Sequence, residues 1–179
     1  TNEVIMQSWQ HTYMTLEGKE HPRNEILKSF GEPLKLSMEK AFPKKDAEEA
    51  MSIYRGYQTN NFNDVVTVFD GIPELIKKLD KEGYKIGIVT SRTRESTIRG
   101  LENYGLEKYI LEIVSCEDTL KHKPDPEPMN IVLRRFGTKP ENAIMIGDTR
   151  FDIQCAHNAG VKAVMVGWAE AMSLEDMEG

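Results

Sequence analysis

Residues 143–152 read Ala143-Ile144-Met145-Ile146-Gly147-Asp148-Thr149-Arg150-Phe151-Asp152. An unbroken apolar run, then a glycine, then polar residues leading into a helical pattern, marks a short buried strand that feeds a helix. The same rhythm occurs upstream in Lys85-Ile86-Gly87-Ile88-Val89-Thr90-Ser91-Arg92. Tyr109 to Ser115 and Val161 to Val166 supply two further runs of strand length. Helical patterns lie around and between them. Ile72, Leu75, Ile76 and Leu79 form a stripe expected to be buried, opened by Gly71-Ile72-Pro73. Glu95 to Tyr104 and Phe151 to Asn158 are two more, and Pro126 to Phe136 carries Met129, Val132, Leu133 and Phe136 inward. Gly83, Gly105 and Gly160 punctuate their ends. Short apolar strands alternating with helices predict an α/β fold, a Rossmann-like parallel sheet with helices on both faces.

Upstream the rhythm differs. Val4, Ile5, Trp9, Tyr13 and Leu16 recur at helical spacing, and Gly18 breaks the pattern. Short helices follow around Ile26 to Phe30 and Leu34 to Ala41, and a charged one runs from Asp46 to Tyr57. No strand pattern occurs there. The expected organisation is therefore a helical unit over 1–64 and an α/β unit over 65–179.

A chain of 179 residues is long enough to bury a sizeable core without staples. Its net charge of -6 argues against a general nucleic-acid binder. Cys116 and Cys155 have no CxxC spacing and read as buried thiols of a reducing compartment. His11, His21, His122 and His157 show no metal-ligand spacing. No run approaches the ~20 apolar residues of a membrane span, and no signal-peptide pattern opens the chain. The expectation is a soluble cytoplasmic protein with no nucleic-acid or membrane partner, either a monomer or a homodimer.

In open parallel sheets, ligands bind beyond the carboxyl ends of the strands. Thr90, Ser91 and Arg92 follow one strand; Asp148 follows another, with Asp152 one helical turn on. Between them lies Lys121-His122-Lys123-Pro124-Asp125-Pro126. Each residue has an ordinary reading: Thr90, Ser91 or Asp148 as a helix cap, Asp152 on a solvated face, Lys123 as a surface lysine. Together they suit phosphoryl chemistry, which needs hydrogen-bond donors and cations around the phosphoryl oxygens and a metal to offset charge. Thr90, Ser91, Arg92 and Lys123 are candidate phosphate contacts, and Thr90 and Lys123 the candidate catalytic pair. Asp148 is a candidate Mg²⁺ ligand. Asp152 either serves the same metal, through a water, or holds Lys123 in place.

The succession Ile88-Val89-Thr90-Ser91-Arg92, then Lys123-Pro124-Asp125-Pro126, then Gly147-Asp148-Thr149-Arg150-Phe151-Asp152 with Ala156 and Ala159-Gly160, resembles the second, third and fourth motifs of the haloacid dehalogenase superfamily. Residues 1 to 60 resemble that family's helical cap. Within the superfamily the chain is most similar to the phosphoglycolate phosphatase and pyrophosphatase group. Asn2 to Tyr13, the loop Phe30-Gly31-Glu32-Pro33-Leu34 and Phe69 to Leu75 carry that likeness. The resemblance implies an Mg²⁺-dependent hydrolase of a small phosphate monoester or pyrophosphate, working through an aspartyl-phosphate. It makes Thr90 the phosphate-binding hydroxyl, Lys123 the charge-balancing lysine, Asp148 the metal ligand and Asp152 its partner. Gly31, Glu32 and Pro33 would close over substrate, with Arg23, Lys28 and Lys35 as further anion contacts. The family's Asp-x-Asp motif has no counterpart here, and Asp70 in Phe69-Asp70-Gly71 reads as a turn residue. The resemblance therefore implies a central strand ahead of Thr1, lying between the strands that carry Thr90 and Asp148, without which the sheet would have a gap. It leaves a phosphosugar mutase and a non-catalytic phosphate-binding protein as alternatives.

Overall fold

The computed structural model describes residues 2–65 and 67–168. The chain divides into two compact units, Thr1–Thr67 and Val68–Gly179. In the first, helical periodicity places Val4, Trp9 and Tyr13 of α1 (Asn2–Glu17) in the core with Ser8 and Thr12. The two buried hydroxyls donate one turn back, Ser8 to the Val4 carbonyl at 2.6 Å and Thr12 to the Ser8 carbonyl at 2.8 Å. They therefore enter an apolar core without leaving a polar atom unpaired. α2 (Arg23–Leu27), α3 (Leu34–Ala41) and α4 (Ala47–Val65) complete the unit. Its centre is aromatic: Trp9 lies edge-on to Tyr54 at 5.8 Å, and Tyr13 packs on Phe42 at 4.7 Å between centroids.

The second unit runs α5 (Ile72–Lys81), β1 (Gly87–Val89), α6 (Arg94–Glu102), β2 (Glu112–Val114), α7 (Glu127–Phe136), β3 (Ile144–Gly147), α8 (Arg150–Asn158) and β4 (Lys162–Met165). This is the alternation that the sequence predicts, and the α/β class stands. β1 pairs in parallel with β2, Ile88 opposite Ile113, and β3 with β4, Met145 opposite Ala163. Met129 and Leu133 of α7, Met145 of β3, Cys155 and Ala156 of α8 and Val161 form the core, with Val89 packed against it. Gly87 lets α7 lie close on β1, since a methyl group there would stand 3.0 Å from Phe136 Cζ and 3.1 Å from Val132 Cγ1. Gly137 ends α7 in the left-handed region at φ 61°.

Among the described residues the four strands form two separate parallel pairs, with no ladder between β1 and β3, where the resemblance places a further strand. Two details differ from the sequence reading. The expected cover on both faces is incomplete. Met145 is buried on one side of β3, while Ile144 and Ile146 on the other are 62 and 58 % exposed. Correspondingly, the stripe of α5 is not buried: Leu75 is exposed, and Ile72, Ile76 and Leu79 are only half-buried. An amphipathic pattern dictates which side of a helix turns inward, but burial also needs a continuous opposing surface, and a sheet split into two pairs does not present one.

Candidate functional site

β3 ends at Gly147, and the chain turns through Asp148 into α8, whose N-cap is Thr149. The Thr149 hydroxyl oxygen accepts from the Asp152 N–H at 3.4 Å. In return, Asp152 Oδ2 accepts from the Thr149 N–H at 3.0 Å and from its hydroxyl at 2.7 Å. This reciprocal box fixes the carboxylate against the start of the helix. Its other oxygen, Oδ1, accepts from Lys123 Nζ at 2.6 Å. Lys123 and Asp152 are 8 and 5 % exposed, so both charges are buried. Gly147 permits this arrangement, because a Cβ there would stand only 2.3 Å from Asp152 Cβ.

The same amine reaches the end of β1, donating to the Val89 carbonyl at 3.4 Å. The next residue, Thr90, continues the β1–β2 ladder through its N–H to the Val114 carbonyl at 2.9 Å. Its hydroxyl oxygen accepts from the Arg92 N–H at 3.1 Å, which leaves the hydroxyl proton available to another acceptor. Ser91 and Arg92 are half-buried in the turn that follows. The structure thus brings Thr90, Lys123 and Asp152 to one rim, with Asp148 beside them.

The ordinary readings are decided against for most of these residues. The cap of α6 is Thr93, which accepts from the Ser96 N–H at 3.3 Å, and not Thr90 or Ser91. The cap of α8 is Thr149, not Asp148. Neither Lys123 nor Asp152 is a surface residue. Asp148 is half-buried and has no ion pair among the described residues. Burial first, and then the neighbouring Asp152 charge, push its carboxyl above the usual range against the pull of Lys123.

A divalent cation fits Asp148, since it would offset the burial and the like charge that oppose ionisation. Asp152 fits the alternative role expected of it, because its oxygens are held by Lys123 and Thr149. Among the described residues no three His, Cys, Asp or Glu side chains are gathered for a metal.

Other expected residues have partners of their own. Glu32 accepts from the Ser37 hydroxyl at 2.6 Å and pairs with Lys40, so it braces the start of α3; Gly31 and Pro33 flank it in the same helical unit. Lys28 pairs with Glu25 at 2.8 Å, Lys35 with Glu48 at 3.1 Å and Arg23 with Glu3 at 3.4 Å. Each of these cations already has a carboxylate partner. Cys155 is fully buried and donates to the Asp125 carbonyl at 3.2 Å; burial raises its thiol. Cys116, two residues past the buried Val114 that ends β2, is only half-buried.

Sequence reasoning missed a cluster at the end of β2. Asp118 Oδ2 accepts from the Ser115 N–H at 2.7 Å and from its hydroxyl at 2.6 Å. Both Asp118 oxygens accept from Arg94 Nη2, at 2.9 and 2.8 Å. Ser115-Cys116-Glu117-Asp118 has the spacing of a capping box, and that signal was legible. Burial of Asp118 raises its carboxyl, but the Ser115 hydrogen bonds and Arg94 outweigh it and bring the group down to about 2. A depressed carboxyl stabilises the fold above its unfolded value, near 4, and that contribution fades as pH falls toward 2. Asp118→Asn is therefore expected to destabilise the protein at pH 6 by about 1–2 kcal/mol, discounted for the half-exposed Arg94. The difference from wild type should shrink toward zero near pH 2. Urea unfolding at both pH values checks this, and a gap that widens in acid would refute it.

The fold and this rim define an α/β enzyme with its polar residues gathered at the strand ends. The chain belongs to the haloacid dehalogenase-like hydrolase family, whose model matches residues 1–166. Pyrophosphatase PpaX of Halalkalibacterium halodurans is 35 % identical over 169 residues, covering 94 % of this chain and 78 % of that one. PpaX of Bacillus cereus is 34 % identical over 168 residues, covering 94 and 77 %. Among solved structures, a hydrolase from Pseudomonas syringae superposes with a TM-score of 0.85 at 19 % identity, covering 99 and 83 %. A haloacid dehalogenase-like family hydrolase from Streptococcus pneumoniae does so with 0.83 at 22 %, covering 99 and 83 %. These two likenesses concern the fold.

Proposed function

We propose that this chain carries the phosphate- and metal-holding part of an Mg²⁺-dependent phosphatase that acts on pyrophosphate or a small phosphate monoester. The observation that carries this reading is the buried Lys123–Asp152 pair, set against the end of β1 at 3.4 Å from the Val89 carbonyl. A buried lysine held by a carboxylate is a positive charge fixed in place, and it can meet an anion without reorganising. Thr90 would donate its hydroxyl to a phosphoryl oxygen, and the Ser91 N–H would donate beside it. Asp148 would hold Mg²⁺, which supplies charge neutralisation at the phosphoryl oxygens when bound. The two PpaX relatives support pyrophosphate over a monoester.

A second reading is a non-catalytic phosphate-binding protein, which the same buried Lys123–Asp152 pair would serve. Calorimetric titration with pyrophosphate tests what the two readings share. Binding should need Mg²⁺, and Asp148→Asn should weaken it at least about tenfold. Equal affinity in EDTA and in the variant would remove the metal site. Phosphate release from pyrophosphate, phosphoglycolate and glucose 1-phosphate then separates the readings. Release from pyrophosphate or phosphoglycolate supports the phosphatase, binding without turnover supports the non-catalytic protein, and conversion of glucose 1-phosphate without release would overturn both in favour of a phosphosugar mutase.

A further inference from the structure

Two strand ends in the second unit each carry a carboxylate that holds a cation. After β3, Thr149 and Asp152 form a reciprocal box whose carboxylate also holds Lys123. After β2, the Asp118 carboxylate accepts from the Ser115 N–H and hydroxyl and holds Arg94, with the Asp118 N–H on the Ser115 carbonyl. Arg94 also donates to the Ile113 carbonyl at 2.8 Å, while its own N–H donates to Glu117 at 2.7 Å. Alongside, the Cys116 N–H donates to the Arg92 carbonyl at 3.1 Å. Arg94 opens α6 immediately after the Thr90-Ser91-Arg92 turn, and Asp118 stands five residues before Lys123. These contacts therefore join the turn that follows β1 to the start of the segment that delivers Lys123. The far end of that segment is tied separately to α8, by Asn158 to the Pro124 carbonyl at 2.9 Å and by Cys155 to Asp125.

We infer that Asp118 and Arg94 are positioning residues that fix Lys123 relative to the Thr90 turn. This inference rests on the phosphatase reading for its functional meaning, but its structural part can be tested alone. Among the described residues no hydrogen bond or ion pair joins Asp118 or Arg94 directly to Lys123 or Thr90, so the pair acts through the loops it joins. With the clip open, the Lys123 segment keeps only its α8 end, and the amine leaves its place beside Asp152 and Val89 more often.

The test is the rate at which Lys123 is acetylated by an amine-reactive ester, mapped by mass spectrometry, with exposed Lys139 as the internal control. Asp118→Asn, and the milder Arg94→Gln at a half-exposed position, should each accelerate Lys123 acetylation about tenfold and leave Lys139 unchanged. The response to low urea distinguishes this from general loosening: Lys123 acetylation through local opening should be insensitive to it in both variants, whereas amide exchange in α7, which reports global unfolding, should accelerate with it. An unchanged Lys123 rate, or a Lys123 rate that climbs with urea in step with α7 exchange, overturns the inference. Pyrophosphate affinity in Mg²⁺, measured in parallel, keeps the two readings apart. If Thr90→Val and Asp148→Asn bind as wild type does, the phosphatase reading fails, while the acetylation rates still judge the clip. If those two variants bind weakly, Asp118→Asn should lose about five- to tenfold in affinity, and wild-type affinity in it would deny the pair any functional role.

Discussion

Lys123→Met is expected to lower the free energy of unfolding by about 3–5 kcal/mol, because it strands a buried carboxylate. Asp152 is 5 % exposed, and its Oδ1 has Lys123 as its hydrogen-bond donor. Methionine fills much of the space of the lysine stem and gives nothing to that oxygen. The pair as a whole is not a large source of stability, since both groups lose their hydration. Removing both ends should therefore cost less than the two single losses together. Lys123→Met/Asp152→Leu is expected to show a coupling of about 2 kcal/mol or more in a double-mutant cycle. Urea denaturation of the four proteins measures it. A single-variant loss under about 1 kcal/mol, or strict additivity, would mean that the carboxylate finds another donor or water once the lysine has gone.

How much of this was legible in the sequence follows from the range of each interaction. β3 and α8 could be read from residues 143 to 158, because an apolar run and a helical pattern are local signals. So could the turn at Asp70, which the structure places in a turn ahead of α5. The caps lay one step further off. Thr90 and Asp148 stand at the strand ends and have the right chemistry for capping. The helices start later, at Arg94 and Arg150, so the caps fall on Thr93 and Thr149. The division of labour between Asp148 and Asp152 was open in the sequence, because it depends on a lysine 29 residues away along the chain.

Tertiary pairing hid the rest. Arg94 and Asp118 are 24 residues apart, and nothing local distinguishes that arginine from the others in a charged chain. The half-buried stripe of α5 and the exposed Ile144 and Ile146 were missed for the opposite reason. Their pattern is that of buried positions, and the gap expected between the strands of Thr90 and Asp148 was not carried through to the residues beside it. Among the helical-unit residues, the partners of Glu32 were hidden in the same way: Ser37 and Lys40, in the following helix, bond its carboxylate.

Gly147→Ala should be the most damaging change that adds only a methyl group, at about 3 kcal/mol. The new Cβ would stand 2.3 Å from Asp152 Cβ and 2.6 Å from its Cγ. A long side chain can swing away from such a clash, but a Cβ is fixed by its own backbone. Either the end of β3 or the first turn of α8 must therefore move. α8 has little freedom to do so: Cys155 and Ala156, one turn on, are fully buried in the core. Its first residues are also held by the Thr149–Asp152 box. A shift large enough to admit the methyl would draw Asp152 from Lys123, adding part of the loss expected for Lys123→Met. For a chain of this size the midpoint of thermal unfolding should fall by roughly 6–12 °C. The cause can be isolated by removing the atoms that clash. In an Asp152→Gly background, Gly147→Ala should change the midpoint by less than about 2 °C, since the Cβ, Cγ and Oδ2 it would meet are gone. A full-sized drop in that background would locate the strain in the backbone of the strand end itself, and the close approach of Gly147 to Asp152 would not be what requires glycine there.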